Sequence, residues 1–240
     1  MKIKSFILYS LGVFILLGTA CQQQGISSKN VKLETPADSA SYAIGVLIGE
    51  NNKHNLATAP GGDQINVDIM VAAFSSLMHG EEAIMDAETG NTVVRRFFKS
   101  MTEEQGQKNL EEGNAFLEKN KTREGITTTA SGLQYEILKQ GDGPIPTEKD
   151  KVKVHYHGTL IDGTVFDSSV DRGEPATFGV NQVIKGWTEV LQLMPVGSKW
   201  KVYIPADLAY GDKPRPGGKI GPNMTLIFDI ELLDIVKPEK

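Results

Sequence analysis

Near Thr127 the period of the hydrophobic pattern changes from about 3.6 residues to about 2, so the chain must be helical first and sheet-forming afterwards. From Leu33 to about Lys121 apolar residues recur at helical spacing. A first helix is expected from Asp38 or Ser39, after Pro36, burying Ala40, Ala43, Ile44, Leu47 and Ile48 and stopping near Asn51 and Asn52. Beyond a loop with Pro60, Gly61 and Gly62, Asn66 can cap a second helix. Its Ile69, Met70, Ala73, Phe74, Leu77 and Met78 form one stripe, which Gly80 ends. Asp86 opens a third pattern that runs to about Asn120, a helix of about 35 residues and about 50 Å. Val93, Val94, Phe97, Phe98 and Met101 lie near its start and Leu110, Phe116 and Leu117 near its end. Thr102 to Asn109, lacking any large apolar residue, is expected to bury nothing.

Two short helices and the start of a long one make a thin core, of the kind that commonly relies on a disulfide, a metal or a second chain. Cys21 is the only cysteine, which excludes an intramolecular disulfide and any zinc site needing two thiolates. Residues 33–101 therefore read as a helical dimerisation domain, and residues 102–126 as the rest of a long spacer helix and a linker. A self-sufficient helical domain is the alternative.

In the second part Val152, Val154 and Tyr156 alternate with Lys151, Lys153, His155 and His157. Trp200, Val202 and Ile204 alternate with Lys201 and Tyr203. Leu226, Phe228, Ile230 and Leu232 make a third strand, and Leu133, Tyr135 and Ile137 suggest a fourth. The pattern is that of an antiparallel sheet with one apolar and one wet face. Ile184, Trp187, Val190, Leu191 and Met194 return to helical spacing, so one short helix packs on the sheet. The fold class is α+β.

Lys2 and Lys4 precede an uncharged, mostly apolar run from Phe6 to Ala20, which stops at Cys21 before Gln22-Gln23-Gln24. A spanning helix needs about 20 apolar residues, and this run is shorter. The placement of Cys21 resembles a bacterial lipoprotein signal: residues 1–20 are removed, Cys21 is acylated, and residues 21–32 form a flexible tether. Secretion with a free thiol is the competing reading. The formal net charge is −5, from 25 basic and 30 acidic residues, so neither anionic lipid heads nor nucleic acid is an expected electrostatic partner. An anchor would have to be the acyl chains, several of which hold where one is marginal. Outer-membrane placement facing the periplasm is expected because Gln22, and no acidic residue, follows the cysteine. Surface exposure stays open.

Five motifs carry the chemistry: Val154-His155-Tyr156-His157-Gly158, Asp162 to Ser169, Val183-Ile184-Lys185-Gly186-Trp187, Leu208-Ala209-Tyr210-Gly211 and Thr225-Leu226-Ile227-Phe228. Together they resemble the FK506-binding-protein type of peptidyl-prolyl isomerase, over about Ser131 to Val236, with the isomerase domain at 127–237. The N-terminal helices and the phrases Ser131 to Tyr135 and Leu191 to Pro195 resemble its macrophage-infectivity-potentiator and FkpA branch. That resemblance implies a homodimer joined through the N-terminal helices and proline-containing unfolded or nascent extracytoplasmic proteins as substrates. It also implies a site for macrolides of the FK506 and rapamycin type, and no cofactor.

An X-Pro bond isomerises over a barrier of about 18 to 20 kcal/mol because amide resonance must be broken. The twisted amide has lost charge separation and needs water less, so an apolar aromatic cup favours it. Tyr156, Phe166, Val183, Ile184, Trp187 and Phe228 can supply the cup, with Phe178 and Ile220 lining it. By resemblance, Trp187 is the floor under the proline ring. The Tyr210 hydroxyl and the Ile184 backbone N–H donate to substrate carbonyls, and a dry Asp167 carboxylate lies beside the twisted carbonyl. His155 and His157 share a strand face but lack a third ligand nearby in sequence, so a metal is not expected.

Two stretches depart from the family pattern. Pro175-Ala176-Thr177-Phe178 makes a smaller wall, and the loop Gly211 to Asn223 carries Ile220-Gly221-Pro222, which bears on peptide preference. The rival function is a chaperone or adhesion module in which the helical cleft holds clients and isomerase activity is secondary.

Overall fold

A computed structural model describes residues 31–215 and 217–236; the expected signal segment, Cys21 and most of the tether lie outside them. The chain divides into two compact units, one ending at Glu50 and one running from Asn51. Helix α1 (Pro36–Thr58) starts at Pro36, two residues before the expected Asp38, after a reciprocal capping box. The Asp38 N–H donates to Thr35 Oγ1 at 3.1 Å and the Thr35 N–H donates to Asp38 Oδ2 at 2.8 Å, with Pro36 supplying the preset φ of the first turn. It runs past Asn51 and Asn52 to Thr58.

Asn66 caps α2 (Val67–Met78), accepting from the N–H groups of Asp68 and Ile69, and Asp86 caps α3 (Ala87–Asn120), accepting from that of Thr89. Gly80, at φ 78°, ends α2. Neither α1 nor α2 contains a buried residue. The stripes expected to be buried lie open within one chain, with Leu47 and Met78 71% and 70% exposed.

The second part forms β1 (Ile126–Thr128), β2 (Gln134–Lys139), β3 (Lys151–Thr159), β4 (Val165–Ser168), β5 (Ala176–Gly179), β6 (Lys199–Ile204) and β7 (Leu226–Val236), with short helices α4 (Ser169–Arg172) and α5 (Lys185–Leu191). The strands make one antiparallel sheet in the order β1-β2-β6-β7-β3-β4, with β5 also paired to β3. In β3, β6 and β7 alternation placed the inner-face core correctly, whereas Ile137 of β2 is 46% exposed. Val152, Val154, Tyr156, Trp200, Val202, Ile204, Phe228 and Ile230 face Trp187, Val190 and Leu191 of α5.

The other face is not uniformly wet, and α3 is the reason. Its Gly106, Asn109, Gly113, Leu117 and Asn120 are buried, a stripe at steps of three and four residues. Tyr203, expected to face water, is 2% exposed. The Phe116 ring lies 5.9 Å from the Tyr203 ring, and Arg123 Nη1 donates to the Tyr203 hydroxyl at 3.0 Å. Gln134, the register partner of Tyr203, donates to the Leu117 carbonyl at 2.9 Å and accepts from Asn120 Nδ2 at 2.8 Å. The expectation that the helix buries nothing between Thr102 and Asn109 is therefore wrong. Small and amide side chains, with Leu117 among them, let the helix sit close on the sheet's outer face.

Candidate functional site

The free edge of β3 is shared. Lys151 to Val154 pair with β5, and His157 to Thr159 pair with β4. Between them the buried Ser169 hydroxyl takes the place of a strand, accepting from the Tyr156 N–H at 2.8 Å and donating to the Tyr156 carbonyl at 3.3 Å. Ser168 caps α4 by accepting from the Asp171 N–H at 3.1 Å. That single turn of helix swings Arg172 back toward Asp167, at the end of β4. The His155 and His157 rings pair with the hydroxyls of Ser169 and Ser168, at 3.2 and 3.0 Å.

A cavity of about 600 Å³ opens where these segments meet α5 and the loop before β7. All ten residues singled out within the isomerase part line it: Tyr156, Phe166, Asp167, Phe178, Val183, Ile184, Trp187, Tyr210, Ile220 and Phe228. Trp187 forms the base, and the rings of Tyr156, Phe178 and Phe228 stand edge-on to its indole at 5.3, 5.8 and 5.3 Å. Phe166 stands edge-on to Phe228 at 5.4 Å. Such T-shaped pairs set ring edges against ring faces, which fixes the cup before any ligand enters. Its far wall needs Gly158, because a Cβ there would stand 2.7 Å from Phe166 and 2.9 Å from Phe228. The Tyr210 hydroxyl and the Ile184 N–H have no hydrogen-bond partner among the described residues and stay available as donors.

Asp167 departs from expectation. Its side chain is 47% exposed rather than dry, and both oxygens are engaged: Oδ1 accepts from Arg172 Nη1, and Oδ2 accepts from the Tyr156 hydroxyl at 2.6 Å. Arg172 Nη2 also donates to the Tyr156 hydroxyl at 2.8 Å, and its guanidinium lies over the Tyr156 ring at 5.6 Å. Burial pushes the Asp167 carboxyl up, but the hydrogen bonds from Tyr156 and Arg172 outweigh it and hold the group below its ordinary 3.8. Burial, then the hydrogen bond to Asp167, raises the Tyr156 phenol. Arg172 is raised by its bonds to Tyr156 and Asp167 and stays charged.

Residues 143–233 match the family profile described as FKBP-type peptidyl-prolyl cis-trans isomerase, and residues 37–137 match the domain amino-terminal to it. The outer membrane protein MIP of Legionella longbeachae is 44% identical over 230 residues, covering 92% of this chain and 95% of that one. This chain is an FKBP-type peptidyl-prolyl cis-trans isomerase. The FKBP-type 22 kDa peptidyl-prolyl cis-trans isomerase of Escherichia coli is 42% identical over 200 residues, covering 82% of this chain and 94% of its own. The crystal structure of FkpA from Escherichia coli superposes with a TM-score of 0.65 at 33% identity, over 87% of this chain and all of that one. The helical module followed by an antiparallel sheet domain is thus the architecture of a solved relative.

For this FKBP-type isomerase the sequence reading missed Arg172, the ion partner of Asp167. An acid and a base five residues apart, separated by a capping serine, were its only trace. Gln182, Pro214, Arg215, Gly218 and Lys219 also line the cavity without having been singled out.

Proposed function

We propose that the aromatic cup is where this isomerase turns the X-Pro bond, and that it works without covalent chemistry. The observation that carries the reading is convergence: ten residues from separate segments enclose one cavity whose base is a fully boxed indole. The proline ring rests on Trp187, and Tyr156, Phe166, Val183 and Phe228 exclude water from the amide, favouring the twisted form over the resonance-stabilised planar one. Ile184 N–H and the Tyr210 hydroxyl receive substrate carbonyls. Asp167, half-exposed and paired to Arg172, acts chiefly by holding the Tyr156 hydroxyl and hence the ring wall in place.

Exchange-spectroscopy NMR on a short X-Pro peptide tests this. Acceleration by the wild-type chain should lose most of its gain in folded Asp167→Ala and Trp187→Ala variants. A wild-type rate in folded Trp187→Ala sinks the assignment.

The open apolar faces of α2 and the start of α3 support a homodimer built through residues 33–101, with residues 127–237 as the isomerase domain. The same faces favour a second role in holding unfolded clients. The extracytoplasmic envelope is the site of action: the name of the Legionella longbeachae relative places that protein in the outer membrane, and Cys21 sits where a lipid anchor would be attached, facing the periplasm. The cup's apolar lining also suits macrolides of the FK506 and rapamycin type.

A further inference from the structure

The loop Gly211 to Asn223, which follows Tyr210 directly, supplies one side of the cup, with Ile220 near its end. Its far end is fastened to the long helix. Asn109, 6% exposed in the middle of α3, donates from Nδ2 to the Pro222 carbonyl at 2.7 Å, across 113 residues of sequence. Gln105 Nε2 donates to Asn109 Oδ1 at 2.8 Å, which fixes which end of the amide faces the loop. In return Asn223 Nδ2 donates to the Gly106 carbonyl at 3.3 Å.

Asn223 is the one non-glycine residue at positive φ among the described residues, at 54°, and its N–H closes the loop base on the Gly211 carbonyl at 2.8 Å. The approach is close. A Cβ on Gly106 would stand 3.2 Å from Asn223 Nδ2 and 3.3 Å from Pro222 Cβ. A buried asparagine is an uncommon choice for a helix interior unless a specific carbonyl must be met, and Pro222 offers a carbonyl and no N–H.

We infer that Asn109 is a positioning residue for the isomerase reaction: through Pro222 it sets where Ile220 stands in the cup, so α3 tunes which residue next to proline the enzyme accepts. This rests on the cup being the isomerase site. Only Gly221 separates Ile220 from Pro222, whose carbonyl is anchored and whose ring stiffens that short connection. Because catalysis here is shape and exclusion of water, a displacement of about 0.5 to 1 Å at Ile220 forfeits much of its van der Waals contact with the substrate. Bulky and small neighbours of proline would feel that loss unequally.

The test compares kcat and KM of the full-length chain on tetrapeptides that carry alanine or leucine before proline. Asn109→Ala should change the leucine-to-alanine ratio of kcat/KM by about threefold or more, and Asn109→Gln, which keeps the donor, should restore most of it. Leu117→Ala, which loosens α3 elsewhere, should lower thermal stability and leave the ratio unchanged. A purely structural Asn109 would behave like Leu117. Gln105→Ala, a milder change on the same chain of hydrogen bonds, should shift the ratio in the same direction and serves if Asn109→Ala does not fold. An unchanged ratio in the folded variants overturns the inference while leaving the cup assignment standing. A wild-type rate in folded Trp187→Ala overturns the cup assignment, and the inference with it.

Discussion

The two halves of α3 invert what their composition suggests. Val93 and Val94, in the first half, are 48% and 53% exposed, whereas the second half buries Gly106, Asn109, Gly113 and Asn120 beside Leu117. Apolar character marks a surface that can be buried, and only the neighbouring structure decides whether one chain buries it. The second half lies against a sheet face that offers Tyr203 and Gln134 and a loop that offers the Pro222 carbonyl, so its stripe is small and amide-bearing around Leu117. The first half, like α2, meets no such sheet face among the described residues, and Val93 and Val94 stay open there.

The largest expected effect comes from breaking the first half's side of this contrast. Ile69→Lys with Phe74→Lys places two ammonium groups on the open face of α2, where a dimer would have to desolvate them twice. Dimerisation should weaken by about a thousandfold or more, because stranding an unpaired charge costs several kcal/mol. Sedimentation should show the mass fall to one chain while turnover of a short peptide persists. A dimer that survives both substitutions places the contact on another face.

The second half should respond in stability rather than assembly. Leu117→Ala removes a side chain that is 8% exposed and lies beside the Gln134 anchor. The cost should be about 2 to 3 kcal/mol, a drop of about 9 to 13 °C in the Tm of the isomerase part. Val94→Ala should leave that transition where it is. Equal shifts for the two would erase the contrast between the halves.

These two surfaces also mark how far the sequence could be read. Alternation at Val152, Val154 and Tyr156 named the inner face of the sheet, and Asn66 and Asp86 announced two helix starts, because each signal is local. Tyr203 was misplaced because a period of two says which residues share a face and is silent on what covers the opposite one. The stripe from Gly106 to Asn120 went unseen because hydrophobic spacing weighs size, and here close approach and amide hydrogen bonds do the joining. Eight of the ten cup residues came from motifs that resemble a family, and Phe178 and Ile220 came from the two stretches that depart from its pattern. Arg172 came from neither, since its role arises from a four-residue helix that returns it to Asp167, a geometry that no periodicity encodes.

The smallest expected effect tests whether the cup answers to its own charges alone. Asp167 sits below its ordinary 3.8, so the carboxylate and its bonds to Tyr156 and Arg172 are complete above that value and are lost only as pH falls through the lowered one. Arg172 keeps its charge throughout, and Tyr156 is raised, so neither titrates near neutrality. Turnover of a short peptide should therefore be flat from about pH 7 down to about pH 4 and decline only in stronger acid. The acid limb should vanish in Asp167→Asn, whose amide cannot gain the proton. It should be unmoved in Ile69→Lys with Phe74→Lys and in Leu117→Ala, because neither touches the Tyr156, Asp167 and Arg172 set. An acid limb that shifts with Leu117→Ala would mean that the second half of α3 reaches the charged side of the cup as well as the loop beside it.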